Sequence, residues 1–432
     1  MTNPLYISKV SLRDVKCFGL AELSIDHNSD GVPWAVVVGD NAAGKTALLR
    51  SIALGLCDES SAAGLMKESD EGYVRRDKDE AVIQIELIDR ESQDVFAITT
   101  TITKESIDSV SFENLRQQTE PEQGFPWHRV FACAYGMGRA TGGTGDIAGW
   151  SVINAVYNLF SYGEGLQNPE LTILRISDEG TRDYWLCQVG RLLDIPEDGI
   201  HLSDHGITVS DPRWGLDMPL RDLADGIRAT FLWVADFVGW ALAFDNSIKR
   251  PDEISGILLV DELEQHLHAS WQRRIVSQLR ELFPKVQFIV TTHSPFVAAS
   301  VGDLSVPAAK DSLVLSEVEP DSKTVRLDLL ETMQAYRFEQ VLASRAFRYV
   351  TEANPALEAS LERASELSDK GNQRTEAEQQ EYDKLKEGLK GAPFLRATTS
   401  AERDIEQQEL ADLRRRAQEA EQKDAQGDTA HD

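Results

Sequence analysis

Trp34-Ala35-Val36-Val37-Val38-Gly39-Asp40-Asn41-Ala42-Ala43-Gly44-Lys45-Thr46 is the stretch on which the fold turns. Its apolar half reads as a strand buried on both faces. Its second half matches GxxxxGK[ST], and Lys45 to Leu56 continues as a helical stretch. A glycine turn joining strand to helix can arise by chance, but this context and the downstream motifs favour a phosphate loop. Gly39, Asp40, Asn41, Ala42, Ala43 and Gly44 would curl so that their N–H groups point at phosphate oxygens. The helix N-terminus adds partial positive charge. Lys45 would reach the β and γ phosphates, and the Thr46 hydroxyl would bind Mg2+.

Two segments far down the chain complete this reading. Ile257-Leu258-Leu259-Val260-Asp261-Glu262 is another apolar run, ending in two carboxylates. Ligands of parallel sheets bind at the carboxyl ends of strands. Asp261 is therefore assigned to Mg2+, directly or through water, and Glu262 to orienting or deprotonating the attacking water. Phe288-Ile289-Val290-Thr291-Thr292-His293-Ser294-Pro295 places His293 at the end of a second buried strand, facing the γ-phosphate. A lone loop histidine is more often structural; this position favours a phosphate hydrogen bond that senses phosphate loss.

Composition bounds the rest. The 432 residues are 41 % apolar, ample for a core, which excludes wholesale disorder. The length is compatible with two or three domains. With 44 Lys+Arg against 72 Asp+Glu, the formal charge of −28 disfavours a broad electrostatic grip on DNA. It leaves room for a local basic groove or for nucleic acid held through a partner. Cys17, Cys57, Cys133 and Cys187 are widely spaced, against a disulfide framework or zinc ribbon. Met1–Leu5 has no leader-like character, and Phe231–Phe244 is short and carries Asp236. A soluble cytoplasmic protein with no membrane partner is expected.

Along the chain, strands are expected at Leu5–Val10, Leu20–Ile25, Ala81–Leu87 and Val95–Thr103, forming a β-rich lobe. Trp150–Leu193 reads as mostly helical, with loops near Gly163–Gly165 and Glu179–Gly180. Gly199–Asp211 reads as a hairpin and Asp225–Phe244 as a long helix. Strand, helix and strand follow at Ile257–Val260, Ala269–Phe283 and Val286–Thr292, then strands at Ser312–Val318 and Thr324–Leu329. Beyond Glu331 helical signals dominate, with Asn354-Pro355 as a start and capping-box spacing at Thr375…Glu378 and Thr399…Glu402. Gly371-Asn372 and Gly391-Ala392-Pro393 break the helices. Ala401–Gln426 is charged nearly all round, a solvated helix or a frayed tail.

Taken together, the phosphate loop, the stretch Asp261-Glu262-Leu263-Glu264-Gln265-His266-Leu267-His268 and the Thr291-Thr292-His293-Ser294-Pro295 turn resemble the ABC-type ATPase heads of the RecF, SMC and OLD superfamily. They look like the branch found in OLD-like and anti-phage defence ATPases of the Septu (PtuA-like) type. The resemblance implies an α/β P-loop NTPase, with a β-rich lobe and a RecA-like lobe over residues 1–330. Residues 331–432 would be an acidic helical extension for oligomerisation or partner binding. It also implies ATP and Mg2+ as ligands, and two heads sandwiching ATP. Each site would be completed by the partner's signature loop, here Leu223-Ala224-Asp225-Gly226-Ile227-Arg228, where Gly226 and Arg228 are the candidate nucleotide contacts. The family usually has Ser where this chain has Ala224, so one hydroxyl donor is lost; an ordinary helix start is the plain alternative.

Three other features are weighed against that frame. His266 and His268 lack a spaced third ligand, which disfavours a metal site. Arg139, in Ala134-Tyr135-Gly136-Met137-Gly138-Arg139, could touch phosphate or pair with an acidic neighbour. Lys16-Cys17-Phe18 resembles the family's early strand turn near the base or ribose.

The favoured function is an ATP-driven switch in bacterial anti-phage defence, hydrolysing ATP to ADP and phosphate, forming homo-oligomers and regulating a separate nuclease or effector subunit. No nuclease signature is found in the chain. The alternatives are a RecF/SMC-like DNA repair or chromosome-maintenance ATPase, with DNA as partner, and a scaffold with weak hydrolysis.

Overall fold

The computed structural model describes residues 3–68, 72–104, 106–121, 124–140, 149–161, 166–176, 178–203, 206–213, 215–302, 310–319, 322–333, 336, 338–347, 360, 363–364, 366–367, 370 and 374–388. The expected loop at Gly163–Gly165, the breaks at Gly371-Asn372 and Gly391-Ala392-Pro393, the starts at Asn354-Pro355 and Thr399…Glu402, and the stretch Ala401–Gln426 lie outside them. The chain divides into two compact units, Met1–Phe347 and Arg348–Asp432.

In chain order the strands of the first unit are β1 (Leu5–Val15), β2 (Phe18–Ser24), β3 (Ala35–Val38), β4 (Glu80–Asp89), β5 (Val95–Thr103), β6 (Ile107–Asn114), β7 (Ala132–Tyr135), β8 (Ile200–Ser203), β9 (Gly206–Asp211), β10 (Gly215–Pro219), β11 (Ser255–Val260), β12 (Lys285–Thr292), β13 (Ser312–Val318) and β14 (Val325–Leu330). The helices are α1 (Lys45–Gly55), α2 (Glu59–Glu68), α3 (Val152–Val156), α4 (Pro169–Leu174), α5 (Glu179–Leu192), α6 (Asp225–Phe244), α7 (Ala269–Gln272), α8 (Ile275–Leu282), α9 (Pro295–Ala299) and α10 (Phe338–Leu342).

A six-stranded sheet in the order β14-β13-β3-β12-β11-β7 forms the RecA-like lobe, parallel except for β14. Its central strands are apolar without interruption because both faces are covered. Val36, Val38, Leu258, Val260, Phe288 and Val290 face one core, shared with α6, where Trp34 stacks on Phe288. Ala35, Val37, Ile257, Leu259 and Ile289 face the other. That second core also takes Leu48, Leu49 and Ile52 of α1, with Ile83 and Ile85 from the antiparallel sheet β2-β1-β4-β5-β6. Helix α1 is thus held between the β-rich lobe and the parallel sheet.

The structure departs from the sequence reading in places that have physical causes. The alternation of β1 is loose because its register with β4 shifts between Ile7 and Lys9, a bulge that resets which side chains face inward. The expected helix Ala269–Phe283 is two helices, α7 and α8. At the break Ser300 Oγ donates to the Arg273 carbonyl, which helix continuation would otherwise satisfy. The expected hairpin at Gly199–Asp211 gains β10 as a third strand, and β6 and α2 were not anticipated.

Helix α6 is long and apolar enough to cross a bilayer by composition, but 78 % of its apolar window is buried inside the protein. It is the central core helix of this unit. In the second unit the described helix Glu376–Gly388 opens on a reciprocal capping box: Glu378 N–H donates to Thr375 Oγ1, and Thr375 N–H to the Glu378 carboxylate.

Candidate active site

Because β11, β12 and β3 pair in parallel with Val260 opposite Val290 and Thr292 opposite Val38, their carboxyl ends finish together. Gly39, Asp261 and His293 each follow directly from one of those strands. Residues from distant parts of the chain are gathered there by strand order alone.

The loop after β3 needs its glycines. Gly44 has φ of 81°, and a Cβ there would stand 2.7 Å from Cys17 Sγ. A Cβ on Gly39 would stand 2.2 Å from the Ser316 carbonyl oxygen. The Ser316 hydroxyl donates to the Ala43 carbonyl, so β13 forms the floor of the loop. Ala42 takes the left-handed conformation, at φ of 63°. Lys45 is buried and its ammonium donates to the Gly39 and Asp40 carbonyls, both at 2.9 Å. Burial lowers its pKa, opposed by Asp261, Glu262, Glu264 and Asp40.

Thr46 Oγ1 donates to Asp261 Oδ2 at 2.7 Å. This places two hard oxygen donors side by side, the donor set Mg2+ takes when substrate phosphates and water complete its shell. The residues present fit that ion. Thr291 Oγ1 donates to Asp261 Oδ1 at 2.6 Å and accepts from the Glu262 N–H at 2.8 Å. Asp261 is 2 % exposed and Glu262 more open.

Glu262 has φ of 48°, so the strand ends in a sharp turn. Within it Gln265 N–H donates to the Glu262 carbonyl and Leu267 N–H to that of Glu264. The turn carries Glu264 back over the end of β12, where its carboxylate accepts from Thr292 Oγ1 at 2.7 Å and from the His293 N–H at 2.5 Å. His293 is half-buried there. The Ser294 hydroxyl caps α9 through the N–H groups of Phe296 and Val297.

The loop Leu223–Arg228 forms the start of α6, with Ala224 at the N-cap and no side-chain cap. Gly226 sits on the acidic turn: a Cβ would lie 2.3 Å from the His266 carbonyl. The Arg228 guanidinium reaches Asp225 at 3.4 Å. His268 is occupied as the cap of α7, and no group of three His, Cys, Asp or Glu side chains fit to hold a metal occurs among the described residues. The Arg139 guanidinium bonds backbone carbonyls of the acidic residues. Deeper, Asp236 of α6 accepts from the Tyr135 hydroxyl at 2.7 Å and from the Gln167 N–H at 2.8 Å; burial pushes its carboxyl up to about 6.

Sequence reasoning did not single out Thr291 or Ser316, and quoted Glu264 without a role. Each was marked by a polar side chain in or beside an otherwise apolar strand end. Which neighbour it meets depends on strand order.

Residues 205–299 match the family model described as "AAA domain, putative AbiEii toxin, Type IV TA system". The chain is 26 % identical over 351 residues to "Septu protein PtuA" of Bacillus mycoides (strain KBAB4), covering 79 % of this chain and 45 % of that protein. It is 36 % identical over 87 residues to "Retron Vc95 probable ATPase" of Vibrio cholerae serotype O1 biovar El Tor, covering 20 % and 17 %. The chain thus spans less than half the length of these curated relatives. Among solved structures, the SMC head bound to the C-winged helix domain of ScpA aligns with TM-score 0.46 and 16 % identity, covering 76 % of this chain and 99 % of that one.

Proposed function

We propose that this chain, an ABC-type P-loop ATPase head similar to Septu and retron ATPases, binds and hydrolyses MgATP as the switch subunit of a bacterial anti-phage defence system. The observation that carries the hydrolase reading is the convergence of Lys45 and Thr46 with Asp261 and Glu262. In that reading Lys45 leaves the loop carbonyls to grip the β and γ phosphates, while loop N–H groups receive the phosphate oxygens. Thr46, and Asp261 directly or through water, would hold Mg2+, which would supply charge neutralisation on the phosphates. Glu262 orients and deprotonates the attacking water, and His293 hydrogen-bonds the γ-phosphate. The start of α6, with Gly226 and Arg228, completes the site of a second head. Residues 331–432 serve oligomerisation or hold a separate nuclease effector, and the protein works in the cytoplasm.

The test is ATP turnover by the wild type, Lys45→Ala and Glu262→Gln, beside phage plaque counts in cells carrying each with the neighbouring open reading frame. Lys45→Ala should lose nucleotide binding. Glu262→Gln should bind ATP without turning it over, and both should lose protection. Wild-type turnover by Glu262→Gln refutes the hydrolase assignment. Tight, salt-sensitive duplex binding by the isolated chain, with no effect on phage, replaces the defence reading with DNA maintenance.

A further inference from the structure

Arg139 follows β7, and its side chain runs into the protein until the residue is only 2 % exposed. Its guanidinium finds backbone oxygens there. Nη1 donates to the Gly136 carbonyl at 3.1 Å and to the Asp261 carbonyl at 2.6 Å, and Nη2 donates to the Glu262 carbonyl. Burying a guanidinium is costly unless it is well bonded, and carbonyls are weaker partners than carboxylates. Two of these three carbonyls belong to consecutive residues, the pair that presents the acidic side chains.

The backbone explains why a clamp is useful there. Glu262 stands at φ of 48°, a region a glutamate rarely occupies and holds only when its surroundings enforce it. Its N–H is held by Thr291 Oγ1 from β12, and its carbonyl by Arg139 from beyond β7 together with the Gln265 N–H of the turn itself. Both peptide groups flanking its Cα are thereby fixed, and the direction in which the carboxylate leaves the strand end is fixed with them.

We propose that Arg139 is a positioning residue for water attack: it clamps the Asp261 and Glu262 carbonyls and keeps Glu262 in the left-handed turn that aims its carboxylate. This rests on Glu262 being the residue that orients the water. Arg139 contributes nothing to gripping phosphate, so its loss separates turnover from binding.

The experiment compares wild type, Arg139→Ala, Arg139→Lys and Glu262→Gln in the full chain, reading kcat, KM for ATP and thermal midpoint. Arg139→Ala should lower kcat by about a hundredfold and leave KM within about threefold, the cost expected for a misplaced catalytic group. Millimolar guanidinium should return about a tenth of the lost rate by refilling the clamp. Arg139→Lys, which cannot span both carbonyls, should fall about tenfold in kcat and answers the question if the alanine variant does not fold. If Glu262→Gln is inactive while both Arg139 variants keep wild-type kcat, the clamp is refuted and the hydrolase reading stands. The clamp is also refuted if kcat, KM and thermal midpoint fall together without response to guanidinium. Wild-type turnover by Glu262→Gln removes the premise itself.

Discussion

Thr46 and Asp261 stand 215 positions apart in the chain and share a 2.7 Å hydrogen bond. They meet because β12 alone separates β3 from β11 in the sheet, so their strand ends lie close. Thr46 and Asp261 would together hold Mg2+, the carboxylate directly or through water, and the ion would supply positive charge beside bound phosphates.

Thr46→Val keeps the volume and removes one of those oxygens. The Mg2+ concentration for half-maximal ATP turnover should rise about tenfold or more, consistent with loss of one hard ligand. Titrating Mg2+ at fixed ATP reads this directly; an unchanged midpoint separates Thr46 from the metal.

Glu264 ties the histidine turn to the acidic turn through two accepted hydrogen bonds. Glu264→Ala leaves Thr292 Oγ1 and the His293 N–H without that acceptor, at a cost of about 1–3 kcal/mol. Turnover should drop about tenfold while ATP affinity holds, as misplacement of His293 predicts. Glu264→Gln, which keeps one acceptor, should lose less. Equal ATP turnover in all three proteins would remove Glu264 from this role.

Gly226 seats the start of α6 on the His266 carbonyl, where a Cβ would come to 2.3 Å. Gly226→Ala must push helix and turn apart, for a loss of about 1–3 kcal/mol in denaturant unfolding. Wild-type stability would show that this contact is not held in solution.

Asp236 gives a pH signature. Burial raises its carboxyl from 3.8 to about 6, against the Tyr135, Gln167 and Trp240 hydrogen bonds. Between those values the folded protein binds a proton that the unfolded chain releases. Stability from this group is therefore full below pH 4 and is lost as pH rises through 6, by about 3 kcal/mol. Asp236→Asn removes that slope, so its stability relative to wild type should climb by about this amount between pH 4 and 7. A flat difference in urea unfolding would contradict the raised carboxyl.

The parts of this protein legible in its sequence are those whose signal is local. Gly39–Thr46 declares itself by glycine spacing, and a long apolar run reads as a helix from near Asp225 to about Phe244, where α6 lies. The apolar run Ile257–Val260 reads as a strand covered on both faces. Strand β6 escaped because its apolar residues change phase: Ile107 is out of step with Val110 and Phe112, where the register with β5 shifts between Thr101 and Ile102. Thr291 and Ser316 escaped for another reason, and Arg139 was legible only as a residue with two candidate partners. Thr291 matters because β12 lies beside β11, Ser316 because β13 lies beside β3, and Arg139 because β7 lies beside β11. None of these adjacencies is written in a window of sequence.

The Ser316 floor beneath the phosphate loop has a consequence for biosynthesis. Gly39 and Lys45 leave the ribosome early, yet the strands that flank them, β12 and β13, are made last among the central strands. Long-range pairing of this kind is slow and must wait for its later partner to emerge. A nascent chain stalled before residue 316 carries the whole glycine motif without the wall that shapes it. On the proposed reading, the loop gains its nucleotide-holding shape only after β13 is made, and a product truncated before Ser316 should fail to bind ATP.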